Sequence, residues 1–291
     1  MSFDPAQFKR LERAGYNRIG PRYLAAAGSR RDLADTLIAA ARLAAGQRIL
    51  DLASGPGLLA RAAGDLAGAA GLAIACDISE GQLACCPGLV RVAADGESLP
   101  FADGSFERVL CGLGLMFFPG EQAALCEIRR VLRADGRLVL SVWGRAEEVP
   151  LVGTALSCMR RLLPPPRVER PSIFRFGDAD VLARCLAAAG FGDIGIQVVR
   201  LSTDFKDAGA YWQGFLDLAG GAAESLSRLP AAQQQALAAA VVEDLAPHAV
   251  ETGYRLTSSI LIASAGPVYS APFASRSLPH PGSSHFHECP V

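Results

Sequence analysis

The feature that most constrains this chain of 291 residues is a short apolar strand that runs into a glycine loop and then into a helix. Residues 48–52 (RILDL) are of the kind buried in a parallel sheet. Gly55 and Gly57 follow, and they allow a sharp turn and a close approach of a ligand to the backbone. A helix predicted over 58–66 would point its free N–H groups at this loop. The stretch therefore predicts a cofactor site at the carboxyl end of a strand.

Two classes of cofactor fit this loop. Gly55, Gly57 and Ala60 match the G-x-G-x-x-A fingerprint of dinucleotide-binding proteins. Asp51 favours a second class, the cofactors that present an ammonium group, because an acid at the strand end would attract that group and would repel a pyrophosphate. An ordinary strand-to-helix turn with an acid near its start is the alternative without a ligand, and this motif alone leaves it open.

The segment 50–57 (LDLASGPG) resembles motif I of the class I S-adenosylmethionine-dependent methyltransferases, which reads hydrophobic-Leu-Asp-hydrophobic-Gly-Cys-Gly-Thr-Gly. It departs from the motif at Ala53, in place of the first glycine, and at Pro56, in place of the threonine. The resemblance implies that the following residues bind the cofactor: Asp51, Ala53, Gly55 and Gly57. We expect a branched side chain at position 57 to enter the space of the cofactor and abolish binding while the fold survives.

A second strand, predicted over 72–76, ends in Asp77. An acid at this point can accept hydrogen bonds from both hydroxyl groups of a ribose. Nicotinamide enzymes and adenosylmethionine enzymes share this feature, so it indicates an adenosine cofactor without choosing between them. Ile78 and Ser79 continue the resemblance, because methyltransferases often read Asp-hydrophobic-Ser there. Asp77 and Ile78 are therefore predicted to bind the cofactor.

The most specific resemblance covers 95–107 (DGESLPFADGSFE), which is similar to the Asp-Ala-Glu-x-Leu-Pro-Phe-x-Asp-x-Ser-Phe-Asp stretch of methyltransferases related to ubiquinone and menaquinone biosynthesis. It implies that Asp95 accepts a hydrogen bond from the adenine amino group and that the N–H of Gly96 faces a ring nitrogen. The resemblance also adds Tyr23, from a segment that folds over the cofactor, although a tyrosine that packs a helix on the domain is an equal alternative. Cys111 completes the predicted cofactor set, and otherwise it is a small buried hydrophobe.

Strands that alternate with helices predict an α/β fold with a doubly wound, seven-stranded and mostly parallel sheet, the Rossmann-like methyltransferase fold. We expect one domain over 1–266, with an N-terminal helical cap over about 1–45 and a helical insert over about 206–250 that covers the substrate. Within the cap, the pattern predicts a helix over 4–13 that is broken by Gly20 and Pro21. A tail rich in Pro and Ser follows over 267–291.

The acceptor pocket is predicted from apolar residues just after the fourth strand: Met116, Phe117 and Phe118. They favour a small hydrophobic or aromatic acceptor. Some relatives place a histidine there, and this chain does not. His248 is the candidate general base, with a solvated or capping histidine as the alternative. The remaining histidines lie in the tail beside Cys289, where we expect no metal site.

Composition limits the other functions. A net charge of −1 predicts no strongly basic face and so no nucleic-acid partner. The longest apolar runs, such as 109–118, are shorter than the roughly 18 residues that a membrane span requires, so no membrane span is predicted. Eight cysteines without a C-x-x-C pair, and a start unlike a signal peptide, are typical of a reduced cytoplasmic protein. The sequence does not indicate the oligomeric state.

We expect methyl transfer from S-adenosylmethionine to a small molecule. The alternatives are a cofactor-binding protein that catalyses another reaction, such as a cyclisation, and an NAD(P)-dependent oxidoreductase.

Overall fold

The computed structural model describes residues 3–166, 168–220, 226 and 229–268. At its centre is one sheet, whose strands in chain order are β1 (Arg48–Leu52), β2 (Leu72–Asp77), β3 (Val90–Ala93), β4 (Phe106–Gly112), β5 (Leu132–Trp143), β6 (Phe191–Phe205), β7 (Ala249–Val250) and β8 (Gly253–Pro267). The strand order is β3-β2-β1-β4-β5-β8-β6, and the two-residue β7 pairs only with β8. The predicted sheet is therefore confirmed, with β7 as a short addition.

The sheet is parallel from β3 to β5 and antiparallel at the edge formed by β8 and β6. In β1, Leu50 lies between Ile74 of β2 and Val109 of β4. The four residues 49–52 are at most 1% exposed, so the central strand is covered on both faces. This parallel arrangement brings the carboxyl ends of β1 to β4 to one edge of the sheet.

The α-helices whose bounds the structure describes are α1 (Pro5–Ala25), α2 (Arg31–Ala41), α3 (Leu58–Ala67), α4 (Glu80–Leu83), α5 (Glu121–Val131), α6 (Pro150–Leu162), α7 (Ala179–Ala188), α8 (Ala208–Leu218) and α9 (Ala231–Leu245). One core joins the sheet to α5 and α7, and a second core joins it to α2 and α3. Helices α6, α8 and α9 share a third core, which includes Tyr211 and Leu237. No helix in the described ranges is long and apolar enough to cross a membrane.

Helix α1 is longer than the helix predicted from the sequence. The predicted break at Gly20 and Pro21 is wrong, because α1 runs as one helix of 21 residues. A Cβ at Gly20 would lie 2.6 Å from the carbonyl oxygen of Gly81, so this glycine allows α1 to approach α4 closely. Asn17 Oδ1 accepts a hydrogen bond of 2.8 Å from Gly81 N across the same contact. These contacts with α4 offset the hydrogen bond that Pro21 removes from α1.

Candidate functional site

A cavity lies at the carboxyl edge of β1 to β4, between this edge and α1. Many of the residues predicted from sequence line it: Tyr23, Ala53, Gly55, Asp77, Ile78, Asp95, Gly96, Phe117 and Phe118. Leu113 and Gly114, from the loop after the fourth strand, also line it, and the structure adds others that the sequence analysis missed: Lys9, Glu12, Tyr16, Leu52, Gln82, Ala94 and Gly112. The cavity thus joins the strand ends to one face of the N-terminal helix.

Asp77 is fixed at the wall of this cavity by the backbone around it. Its Oδ2 accepts a hydrogen bond of 2.8 Å from Gly55 N, and its Oδ1 accepts one of 2.8 Å from Ser79 N. Burial raises the pKa of Asp77, while these backbone bonds and one from Ile78 lower it; the net direction is upward. Three backbone bonds fill three of the roughly four lone-pair sites of the carboxylate, so it can still accept a hydrogen bond from a ligand.

Asp51 lies beneath the glycine loop and does not line the cavity. It is 1% exposed, and its Oδ2 accepts a hydrogen bond of 2.8 Å from Ala60 N in the first turn of α3. Its Oδ1 has no hydrogen-bond partner among the described residues. Burial raises the pKa of Asp51 to about 8, with Asp77 adding to the effect and the Ala60 N–H opposing it. The observed contact of Asp51 is thus with the backbone of α3, and its predicted contact with the cofactor stays a prediction.

The two glycines of the loop face different surroundings. A Cβ at Gly55 would lie 3.4 Å from Tyr23 Cε1, inside the cavity. Gly57 has a φ of 74°, and its Cβ would lie 2.6 Å from Leu89 Cδ1 and 3.0 Å from Cys86 Sγ, in the packing behind the loop. The expectation that a side chain at position 57 would enter the cofactor space is therefore wrong. Glycine is required there by the left-handed backbone and by this packing.

Two residues at the cavity hold left-handed backbone conformations without being glycine. Ala53, after β1, has a φ of 53°, and Leu113, after β4, has a φ of 51°. Such conformations cost roughly 1–2 kcal/mol for residues with a Cβ, and they often occur at functional sites. Cys111 is fully buried below them and does not line the cavity; burial raises the pKa of its thiol to about 12.

The loop after β3 is tied to α1. Lys9 Nζ lies 2.7 Å from Asp95 Oδ2 and 2.6 Å from Glu97 Oε2. Burial lowers the pKa of Lys9, but its hydrogen bonds to Asp95 and Glu97 raise it, and the net direction is upward. The residue predicted to bind adenine therefore also holds the N-terminal helix over the cavity.

The three residues predicted to line the acceptor pocket lie in different surroundings. The Phe117 ring lies 5.8 Å from the Tyr16 ring, at 83° to it, on the wall of the cavity. Phe118 packs on Gly96, since a Cβ there would lie 2.7 Å from Phe118 Cε1. Met116 is 1% exposed; it belongs to the core of the sheet and does not line the cavity. Phe117 is thus the aromatic residue that connects this loop to α1.

His248 lies after α9, is partly exposed and does not line the cavity. The tail histidines and Cys289 lie outside the described residues. The residues missed on α1 have a visible pattern, because positions 9, 12 and 16 share one face of the helix with the predicted Tyr23. This pattern was hidden by the predicted break in α1.

The polar lining of the cavity is rich in acceptors. Three carboxylates and one ammonium group line it in the described part of the chain: Glu12, Asp77, Asp95 and Lys9. Gln82 donates a hydrogen bond through Nε2 to Tyr16 O, which leaves its buried Oε1 without a partner among the described residues. Such a lining suits a cofactor that carries hydroxyl and ammonium donors and a positive charge, whereas a pyrophosphate would be repelled.

Comparisons with known proteins identify relatives of this chain. A family model described as a methyltransferase domain matches residues 50–140. The demethylmenaquinone methyltransferase of Corynebacterium efficiens is 33% identical over 168 residues, which are 52% of this chain and 70% of that protein. A ubiquinone/menaquinone biosynthesis C-methyltransferase of Coxiella burnetii is 34% identical over 140 residues, which are 45% of this chain and 56% of that protein.

A solved structure extends the similarity in fold beyond the matched sequence. The YcgJ protein from Bacillus subtilis superimposes with a TM-score of 0.56 at 18% identity, over 81% of this chain and 98% of that one. At this identity the likeness concerns the fold alone.

Proposed function

The chain belongs to the class I S-adenosylmethionine-dependent methyltransferases, and we propose that it transfers the methyl group of this cofactor to a small hydrophobic or aromatic molecule. The observation that carries the proposal is the cavity at the strand ends. Its floor is formed by the strand ends and carries Asp77 and Asp95, whereas its outer wall is formed by α1 and Phe117 and carries the aromatic ring of Tyr16. The oxidoreductase alternative loses its support, because its main argument was the glycine fingerprint, which both families share.

The floor offers partners for the ribose, the adenine and the ammonium group of the cofactor. Asp77 would accept hydrogen bonds from the ribose hydroxyl groups, and Asp95 would accept one from the adenine amino group. The unpartnered oxygen of Gln82, beside Gly55, would accept from an ammonium group. The acidic lining as a whole complements the positive charge of a sulfonium.

The outer wall determines which acceptor fits. Tyr16 and Phe117 present aromatic surfaces, and Lys9 ties α1 to the floor and so limits access of water. The cofactor supplies an electrophilic methyl group, so the task of the protein is to hold the acceptor in line with it. Positioning of this kind can contribute about 7–11 kcal/mol to the lowering of a barrier. A ring of the quinone type is the first acceptor to examine, since the relatives are named for such substrates.

The test is incubation of the protein with methyl-labelled S-adenosylmethionine and an extract of small apolar metabolites, followed by mass spectrometry. We expect a labelled product that extracts into an organic phase, and none with the cofactor alone. If calorimetry shows that the cofactor binds but label never reaches a small molecule, methyl transfer is wrong, and a reaction such as a cyclisation becomes the better hypothesis.

A further inference from the structure

A buried carboxylate that the sequence analysis did not identify lies on the outer wall of the cavity. Glu12 of α1 is 7% exposed and lines the cavity between Lys9 and Tyr16. Its Oε1 lies 2.5 Å from Nη1 of Arg170, which belongs to the segment that follows α6. A carboxylate is seldom buried to this degree unless it is paired, and its position on a cavity wall makes it available to a ligand.

Several charged or titratable groups surround Glu12. Arg170 is the cation on it, and Lys9, one turn earlier on α1, is bonded to Asp95 and Glu97. Tyr16, one turn later, has Glu12 and Asp77 among its neighbouring charges. Burial raises the pKa of Glu12 and Arg170 lowers it, and the net direction is upward. Its pKa therefore moves toward neutrality, where a carboxylate is a better proton acceptor.

The other titratable groups on the lining of the cavity are less suited to accept a proton. Burial raises the pKa of Tyr16 well above its ordinary value, and nearby Tyr23, Glu12 and Asp77 raise it further, so Tyr16 stays a neutral phenol. Lys9 is held protonated by two carboxylates. Asp77 and Asp95 belong to the floor, where the proposed function assigns them to the cofactor. Glu12 is the carboxylate on the acceptor side of the lining.

We propose that Glu12 is the general base of the reaction and that the acceptor carries an ionisable proton on the oxygen that is methylated, as the hydroxyl group of a phenol or a hydroquinone does. The inference rests on the proposed function. The acceptor atom gives its proton to Glu12 and forms the bond to the methyl carbon, while the methyl–sulfur bond breaks and its electron pair stays on sulfur. Glu12 becomes a neutral acid and returns the proton to solvent after the product leaves.

The first experiment compares Glu12→Gln with the unmodified protein, using an acceptor identified by the labelling experiment. We expect kcat to fall by about 10²–10⁴-fold, the range for loss of a general base. The dissociation constant of S-adenosylhomocysteine, measured by calorimetry, should change less than about threefold, because Glu12 is not on the floor. Glu80→Gln is the matched control. Glu80 of α4 pairs with Arg13, which lies next to Glu12 on α1, but Glu80 is exposed and does not line the cavity. It should leave kcat unchanged.

The second experiment uses pH to separate a base from a structural residue. If Glu12 is the base, kcat/KM falls on the acid side as Glu12 is protonated, and Glu12→Gln removes this limb. Arg170→Gln removes the cation that lowers the pKa of Glu12, so it should move the limb to higher pH. This variant keeps the carboxylate, and it also tests the inference if Glu12→Gln fails to fold.

A measurement on the free protein needs no substrate. Because the pKa of Glu12 is raised in the folded state, its contribution to stability is fully present below its unfolded pKa of about 4.5 and is lost as pH rises through the folded pKa. The melting temperature of Glu12→Gln should therefore increase relative to that of the unmodified protein as pH rises from about 4 to 8, which is the gain that this measurement looks for. Glu80→Gln should show no such gain.

The outcomes are distinguishable. If the unmodified protein methylates an acceptor and Glu12→Gln retains turnover within tenfold with the acid limb unchanged, the inference is wrong while the proposed function stands. If no acceptor is methylated by the unmodified protein, the proposed function is wrong and the role of Glu12 as base is wrong with it.

Discussion

The sheet side of the cavity is held by backbone hydrogen bonds, whereas the α1 side is held by side chains that come from distant parts of the chain. On the sheet side, Ala94 N donates to Asp77 O across 3.1 Å and so fixes the loop after β3. On the α1 side, the Lys9 ammonium reaches Asp95 and Glu97. The floor is thus part of the framework of the fold, while the outer wall depends on how one helix docks.

This difference has an energetic side. The strands below the floor are buried on both faces, so a change there alters the stability of the whole sheet. The ion pairs that hold α1 are partly exposed, and pairs of that kind contribute about 0–1 kcal/mol each. We therefore expect that substitutions in the floor change stability or cofactor affinity, and that substitutions in the outer wall change turnover.

The largest expected effect is that of Gly57→Val. Valine at a φ of 74° costs about 1–2 kcal/mol, and its contact with Leu89 and Cys86 adds about 1–3 kcal/mol. The free energy of unfolding in urea should fall by about 2–5 kcal/mol, with cofactor binding lost in proportion to the unfolded fraction.

Gly104→Val is the matched control for this change. Gly104 has a φ of 62°, but nothing lies within 4 Å of its Cβ position. Only the backbone cost of about 1–2 kcal/mol should appear. Equal destabilisation by both variants would show that packing behind the glycine loop is not what constrains position 57.

The next effect is that of Asp77→Ala on cofactor affinity. Loss of one or two charge-assisted hydrogen bonds should weaken the binding of S-adenosylmethionine and S-adenosylhomocysteine alike by about 10–100-fold in calorimetry. Asp103→Ala, which removes an exposed carboxylate paired with Arg130, should leave both affinities unchanged. Unchanged affinity in Asp77→Ala would remove this residue from the site.

The smallest effects are those of Phe117→Ala, on the outer wall of the cavity, and of His248→Ala, outside the cavity. Phe117 contacts Tyr16, so its loss should enlarge the pocket and loosen the alignment of the acceptor. His248 does not line the cavity, and its loss should change turnover less than about tenfold, below the 10²–10⁴-fold typical of a general base. Steady-state kinetics should give the lower kcat for Phe117→Ala. A collapse of turnover in His248→Ala, with both ligands still bound, would make His248 the base in place of Glu12.

Much of the floor could be predicted because its signals are local. The apolar run of β1, the glycines that follow it and Asp77 at the end of β2 lie within 30 residues of one another, and the structure brings Gly55 and Asp77 into hydrogen-bond contact. The cap of α7 is likewise a local feature, since the Asp178 side chain accepts hydrogen bonds from the backbone of Asp180 and Val181 in the first turn. Gly57 shows the limit, because its neighbours Cys86 and Leu89 could not be identified before the fold was known.

The sequence alone determined a mostly parallel sheet and the acids near the ends of its first three strands, because strand patterns and turn residues act over a few neighbouring positions. Only the tertiary structure decided that α1 continues through Pro21 and that it places Glu12 on the cavity. The partners of α1 include Gly81 of α4 and Arg170, which lies 158 residues from Glu12. Contacts over such distances leave no periodic signal in the chain, and here they outweigh the local preference of Gly20 and Pro21 to end a helix.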